Sequence, residues 1–374
     1  MTAPGPDGLR PTRTTDRLDR LRTAMSSVPV DAFLVTHLTN VRYLTGFTGS
    51  AALLLVTADD ALFVTDGRYA DQAPAQLGAA GVAARVEVTS ERQREIIAGA
   101  ASGASLVGLE ADHVSWAAHD RYAADWFAGS ALVATSALVE DLRLVKDPGE
   151  IDRIRLACRI ADDALADVRG ALAERPTERE FGLLLDDRMR RLGASDVSFE
   201  TIVASGPNGA RPHHRPADRI IVEGDLVVID FGALVDGYHS DMTRTIMVGE
   251  PTPTQARMYG VVRDAQRAGA DAVGPGVEAK AVDAACREVI AAAGWADAFT
   301  HGTGHGVGLD IHEAPRVAAT STATLAVGHV VTVEPGVYLA DHGGVRIEDT
   351  LVVTDEGAEA MTLTPKTASL ALGS

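Results

Sequence analysis

Val227-Val228-Ile229-Asp230-Phe231-Gly232-Ala233-Leu234-Val235-Asp236-Gly237-Tyr238-His239-Ser240-Asp241-Met242-Thr243-Arg244-Thr245 decides how the second half of this chain folds. Asp-Gly between two apolar runs is a strong signal for a two-residue type I′ turn, which needs φ > 0 at both central positions. With Asp236-Gly237 as the loop, Asp230 stands opposite Thr243 and Asp241 opposite Gly232. The two aspartates are then diagonal neighbours on one face of the ladder, about 7–8 Å apart at the backbone. Two carboxylates on a buried face repel each other and lose hydration. A cation between them removes the conflict. Taken alone, either Asp reads equally well as a solvent-facing or loop-capping residue.

Two glutamates pose the same problem. Val330-Val331-Thr332-Val333-Glu334-Pro335-Gly336 is an apolar strand ending in a carboxylate and a turn, and Glu348 opens another strand after Gly343-Gly344-Val345-Arg346-Ile347. Each alone reads as a strand-end surface Glu; four carboxylates in apolar strand contexts are harder to dismiss. The run His301-Gly302-Thr303-Gly304-His305-Gly306-Val307-Gly308-Leu309-Asp310-Ile311-His312-Glu313 adds imidazoles. Its glycines forbid a stable helix, so a helical pair of zinc-binding histidines is excluded. What remains is a loop that lets backbone and imidazole approach something closely. Oxygen-rich donors with an imidazole favour Mn²⁺ ahead of Zn²⁺, with Co²⁺ as a substitute. Two ions held by shared carboxylates polarise a carbonyl and acidify water, which is hydrolytic machinery. No nucleophile elbow or Walker loop occurs. Gly274-Pro275-Gly276-Val277-Glu278-Ala279 fits a dinucleotide fingerprint only formally, because it follows a helix and not a strand.

The remaining sequence sets the frame. With 374 residues the chain suits two domains. The net charge of −18 disfavours nucleic acid and anionic membranes as partners. No apolar run reaches the length of a spanning helix. Cys158 and Cys286 sit in helical patterns as small hydrophobes, with no disulfide framework, so a reducing, cytoplasmic location is expected. Residues 1–14 lack an apolar signal core and are expected to be a disordered tail. Residues 15–145 alternate strands and helices as an α/β module, with a hairpin at Asp59-Asp60 and an uncharged stretch Tyr43–Ala58 read as loops and strands. A boundary falls near Lys146-Asp147-Pro148-Gly149, and residues 146–374 form a second domain. There, helices over Glu150–Leu172 and Thr177–Arg191 precede strands, and helices over Pro253–Ala272 and Val277–Ala293 precede more strands. That is a duplicated α+β unit.

These residues resemble the pita-bread metallopeptidases: methionine aminopeptidase, aminopeptidase P, prolidase and the metal-free relative creatinase. The resemblance spans about Glu150 to Leu363 and implies an α+β fold, a creatinase-like α/β domain followed by a pita-bread catalytic domain. It implies that Asp230, Asp241, His305, Glu334 and Glu348 bind two divalent ions, with Asp241 and Glu348 bridging. His213 in Pro212-His213-His214-Arg215-Pro216, the pair His301 and His312, and Arg346 resemble the proline-specific branch. The resemblance gives Glu334 the part of general base, His312 that of oxyanion contact, His213 and His301 those of proline pocket, and Arg346 that of orienting the carboxylates. Asn40–Ser50 and Thr65–Tyr69 look more like aminopeptidase P than prolidase. The implied activity is a Xaa-Pro aminopeptidase acting on peptides with penultimate proline, as a homodimer. One alternative is prolidase, a dipeptidase that needs a cation for the substrate carboxylate, with Arg42, Arg68 and His214 as candidates. The others are a non-catalytic binding protein and a metal-dependent lyase or amidinohydrolase on the same fold.

Overall fold

The computed structural model describes residues 8–367 and 369–370. They fall into two compact units, Thr12–Arg143 and Leu144 onward, the latter including the described residues before Thr12. Part of the expected tail is ordered. Arg10 holds Asp152 through Nε and Nη2, each at 2.6 Å, and Thr14 donates to the Ala80 carbonyl at 2.6 Å. Residues 1–7 lie outside the described residues.

In the first unit, strands β1 (Ala32–Val35), β2 (Ala52–Thr57), β3 (Ala61–Thr65), β4 (Arg85–Val88), β5 (Leu106–Glu110) and β6 (Ala131–Thr135) form one sheet in the order β4-β3-β2-β1-β5-β6. The β2–β3 pair is the hairpin expected at Asp59-Asp60. The sheet is mixed: β1–β2 and β2–β3 are antiparallel, and the other pairs are parallel. Helices α1 (Arg17–Met25), α2 (Leu38–Thr45), α3 (Gln72–Ala79), α4 (Gln93–Ala100), α5 (Trp116–Arg121) and α6 (Glu140–Arg143) complete the unit. Helix α2 corrects the reading of Tyr43–Ala58 as only loops and strands. Val41 and Leu44 face the core, and Gly46 at φ 73° closes the helix in the left-handed region. The helix expected over Trp116–Phe127 changes to a π-helical turn at Tyr122–Trp126.

The second unit repeats a theme. Helices α7 (Pro148–Val168) and α8 (Glu178–Arg191) share a core with strands β8 (Ile202–Ser205), β9 (Leu226–Phe231), β10 (Ala233–Val235) and β12 (Met242–Val248). Strands β7 (Asp196–Val197) and β11 (Tyr238–His239) flank β10. Helices α9 (Pro253–Ala272) and α10 (Ala279–Ala292) share the other core with β14 (Glu313–Val317), β15 (Val330–Val333), β16 (Gly336–Leu339), β17 (Gly343–Arg346) and β18 (Asp349–Thr354). Strands β13 (Gly304–Gly306) and β19 (Gly357–Ala360) complete the five-stranded sheet β14-β13-β15-β18-β19, and β20 (Ser369–Leu370) joins β12. Two helices over a sheet, twice, is the expected duplicated α+β arrangement. Capping boxes start α7, α8 and α9, at Asp147–Glu150, Thr177–Glu180 and Thr252–Gln255. No helix among the described residues is long and apolar enough to cross a membrane.

The deciding hairpin has the expected register. Thr243 pairs with Asp230, Met242 with Phe231, and Val235 with Tyr238. Asp236 (φ 45°) and Gly237 (φ 73°) both lie in the left-handed region that a type I′ turn demands. The ladder breaks at Gly232, where a Cβ would collide with the Ser240 carbonyl. That break frees Asp241, just before β12, from sheet pairing.

Candidate metal centre

Asp230 is the penultimate residue of β9, Asp241 precedes β12, His305 is the middle residue of β13, Glu334 follows β15, and Glu348 sits between β17 and β18. Strand ends supply the four carboxylates because there the backbone can turn a side chain inward while hydrogen bonds hold it. Glu334 N donates to the Thr303 carbonyl at 2.7 Å, and Glu348 N to the Thr243 carbonyl at 3.1 Å. These five residues line one cavity of ≈ 720 Å³, together with His213, His301, His312 and Arg346. Single ligand atoms of Asp241, His305 and Glu348 lie within 4.8 Å of one another. His305 Nε2 is 3.5 Å from Asp241 Oδ2 and 3.6 Å from Glu334 Oε1.

The electrostatics suit a cation. Burial, and after it the charge of Glu348, pushes the carboxyls of Asp241 and Glu334 well above the carboxylate range. Burial and then Asp230 push Glu348 up to about 8. Asp230 Oδ1 and Glu348 Oε1 are buried with no hydrogen-bond partner, which is costly unless something else meets them. His305 Nδ1 lies 3.0 Å from the Gly306 carbonyl, so it carries the proton and turns the Nε2 lone pair toward the carboxylates. Burial lowers this imidazole to about 4, which keeps it neutral. Four carboxylates, two orphaned oxygens and a neutral imidazole fit divalent ions.

Around these donors runs a hydrogen-bonded frame. Arg346 Nη2 donates to Asp230 Oδ2 at 2.6 Å, and Arg346 Nε donates to Thr243 Oγ1 at 3.1 Å. The Thr243 hydroxyl passes its own proton to Glu348 Oε2 at 2.7 Å. Arg346 Nη1 donates to Tyr338 Oη at 2.9 Å, and Tyr338 donates to His301 Nε2 at 2.8 Å. The direction follows from His301 Nδ1, which donates to the Gly302 carbonyl at 2.8 Å and leaves Nε2 as acceptor. Burial lowers His301 to about 4 and raises Tyr338 to about 12, so both are neutral. Burial also lowers His312, whose ring packs edge-on to His305 at 4.4 Å.

Two readings of the sequence need amending. His214 does not face the cavity as a carboxylate-capturing cation; its ring lies 2.8 Å from Glu178, which also accepts from Ser205, Asn208 and Ala217. Glu178 thereby ties down the loop that presents His213. The sequence reading also missed Tyr338 and Arg316. Arg316, in β14, lines the cavity, and its guanidinium makes no ion pair or hydrogen bond among the described residues. For Tyr338 the signals were two glycines where a Cβ would crowd its ring, Gly336 and Gly344, the latter its partner across the β16–β17 hairpin. Phe199, Ile202 and Ile311 add an apolar wall.

One further donor group, His37, His113 and Glu140, lies in the first unit. Its imidazoles stack with centroids 3.7 Å apart and planes 7° apart. A cation in the plane of one ring therefore stands off the other, and this group is not a formed metal site.

Residues 152–355 match metallopeptidase family M24, and residues 17–145 match the creatinase/prolidase N-terminal domain. An uncharacterized peptidase of Bacillus subtilis, YqhT, is 39% identical over 94% of this chain and 98% of its own. The solved structure of a Xaa-Pro dipeptidase from Bacillus anthracis is 37% identical with a TM-score of 0.92, covering 96% of this chain and 100% of that one. That of an X-Pro aminopeptidase from Thermotoga maritima is 32% identical with a TM-score of 0.85, covering 93% and 100%. The chain belongs to metallopeptidase family M24, with a creatinase/prolidase N-terminal domain ahead of its pita-bread domain.

Proposed function

We propose that this protein is a Xaa-Pro dipeptidase acting with two divalent ions held by Asp230, Asp241, His305, Glu334 and Glu348. The oxygen-rich donor set suits Mn²⁺ ahead of Co²⁺ or Zn²⁺. Bound there, the ions supply a polarised carbonyl and an activated water. The chain's own residues do the rest. Glu334, at the end of β15 and beside His305, accepts a proton from the water and returns it to the leaving nitrogen. Arg346 keeps Asp230 in place, and His213, His301 and His312 shape the cavity around the proline ring and the carbonyl oxygen.

The choice of dipeptidase over the expected aminopeptidase rests on Arg316. A dipeptide carries its carboxylate directly on the proline, and a longer peptide does not. An uncommitted guanidinium in the cavity wall is the cation that a dipeptidase needs. The dipeptidase from Bacillus anthracis is also the more similar of the two solved structures.

The test compares Xaa-Pro with Xaa-Pro-Xaa on the Mn²⁺-loaded protein. The dipeptide should be preferred by at least about tenfold in kcat/KM, the worth of a hydrogen bond to a charged group. Arg316→Ala should remove that preference. Equal or faster cleavage of the longer peptide would restore the aminopeptidase reading.

A further inference from the structure

β14 carries His312 at its entrance and Arg316 within it, so its register decides where both meet the substrate. A one-residue slip would send every side chain of the strand to the opposite face. Little in the strand pairing prevents that. Among the described residues β14 is the edge of its sheet, and its hydrogen-bonded neighbour there, β13, is Gly304-His305-Gly306. Glycine-rich strands specify register weakly. The pairing is irregular as well, shifting between Gly304↔Val317 and Gly306↔Glu313.

Beside the burial of Pro315 and Val317 on one face, an ion pair holds the strand. Lys146 Nζ lies 2.6 Å from Glu313 Oε1, with the two side chains 1% and 8% exposed. Lys146 is fixed in turn, because its N–H donates to the Gly328 carbonyl at 2.9 Å and its ammonium to the Leu144 carbonyl at 3.3 Å. Gly308 leaves room for the carboxylate, and a Cβ there would collide with it. Side chains alternate along a strand, so Glu313 shares a side with the buried Pro315 and Val317, while His312, Ala314 and Arg316 take the other. A buried ion pair adds little net stability, and its best-attested use is to select one register.

We propose that Lys146 is a positioning residue: through Glu313 it sets the register of β14 and so places His312 and Arg316 at the substrate. The proposal builds on the carboxylate contact of Arg316 given above. It is tested in the Mn²⁺-loaded protein with the neutral pair Lys146→Met/Glu313→Gln, using Xaa-Pro and Xaa-Pro amide as substrates. The expected result is at least a tenfold rise in KM for the dipeptide, a smaller change in kcat, and weaker discrimination between the substrates. Metal content and Tm should stay at wild-type values.

Wild-type KM and discrimination overturn the proposal. So does a KM rise matched by loss of metal or by a fall in Tm, which marks a merely structural role. If the neutral pair does not fold, Glu313→Gln alone keeps the shape and an acceptor for Lys146; a threefold or greater rise in KM then supports the proposal, and an unchanged KM overturns it. The two readings fail separately. Unchanged discrimination in Arg316→Ala removes the dipeptidase reading, whereas the role of the pair is then judged on KM alone.

Discussion

Thr243 faces Asp230 across the β9–β12 ladder, yet its hydroxyl donates at 2.7 Å to Glu348, 105 residues further along the chain. The same oxygen accepts Arg346 Nε. One threonine thereby orients a carboxylate from the other half of the duplicated domain and leaves Glu348 Oε1 free to meet a cation. Thr243→Val keeps the shape and removes the hydrogen bond. It should weaken Mn²⁺ binding by about 10–100-fold, the usual cost of losing a group that orients a ligand. Isothermal titration of the chelated protein measures this.

Glu334→Gln keeps an oxygen ligand and loses the proton acceptor. Bound metal should persist in elemental analysis, while kcat falls by about 10²–10⁴. Near-normal hydrolysis by this variant would remove Glu334 from the proton-transfer role.

Metal uptake should release protons. In the chelated protein burial raises Glu348 to about 8, so it holds a proton at pH 7 that a cation displaces, and burial shifts Asp241 and Glu334 in the same upward direction. Titration in buffers of different ionisation enthalpy counts the protons released. The sign for stability follows. The folded state binds more protons than the unfolded state, whose glutamates titrate near 4.5, so the metal-free protein loses stability as pH rises from about 5 through 8. Melting curves of chelated protein should show Tm falling over that window, and Mn²⁺ should reverse the fall.

Tyr338→Phe breaks the link between His301 and Arg346 without touching a donor to the metal. It should leave metal content unchanged and lower kcat/KM about tenfold, near the net worth of one or two hydrogen bonds. A wild-type kcat/KM would show that His301 is held without it.

What sequence shows well here is local. The Asp236-Gly237 turn carries its own backbone requirement, so the hairpin register and the Asp230–Thr243 pairing follow from a few residues. Thr177 and Glu180 announce the start of α8 in the same way. Helix α2 was hidden because Thr39, Asn40, Val41 and Tyr43 are weak helix formers, and packing of Val41 and Leu44 overrides that preference. The four carboxylates that line the cavity were legible because charge in an apolar strand is conspicuous wherever the strand lies. Tyr338, Arg316 and Lys146 were not, because each acts across strands whose pairing is set by the tertiary fold. His214 misled for the same reason: beside His213 in sequence, it turns to Glu178 on α8.

The central claim is that five side chains from both halves of the domain converge on two cations. The most direct measurement is anomalous scattering from a crystal grown with Mn²⁺. The account predicts two manganese peaks among Asp230, Asp241, His305, Glu334 and Glu348, with Asp241 and Glu348 touching both. A map with those side chains in place and no peak between them would contradict it.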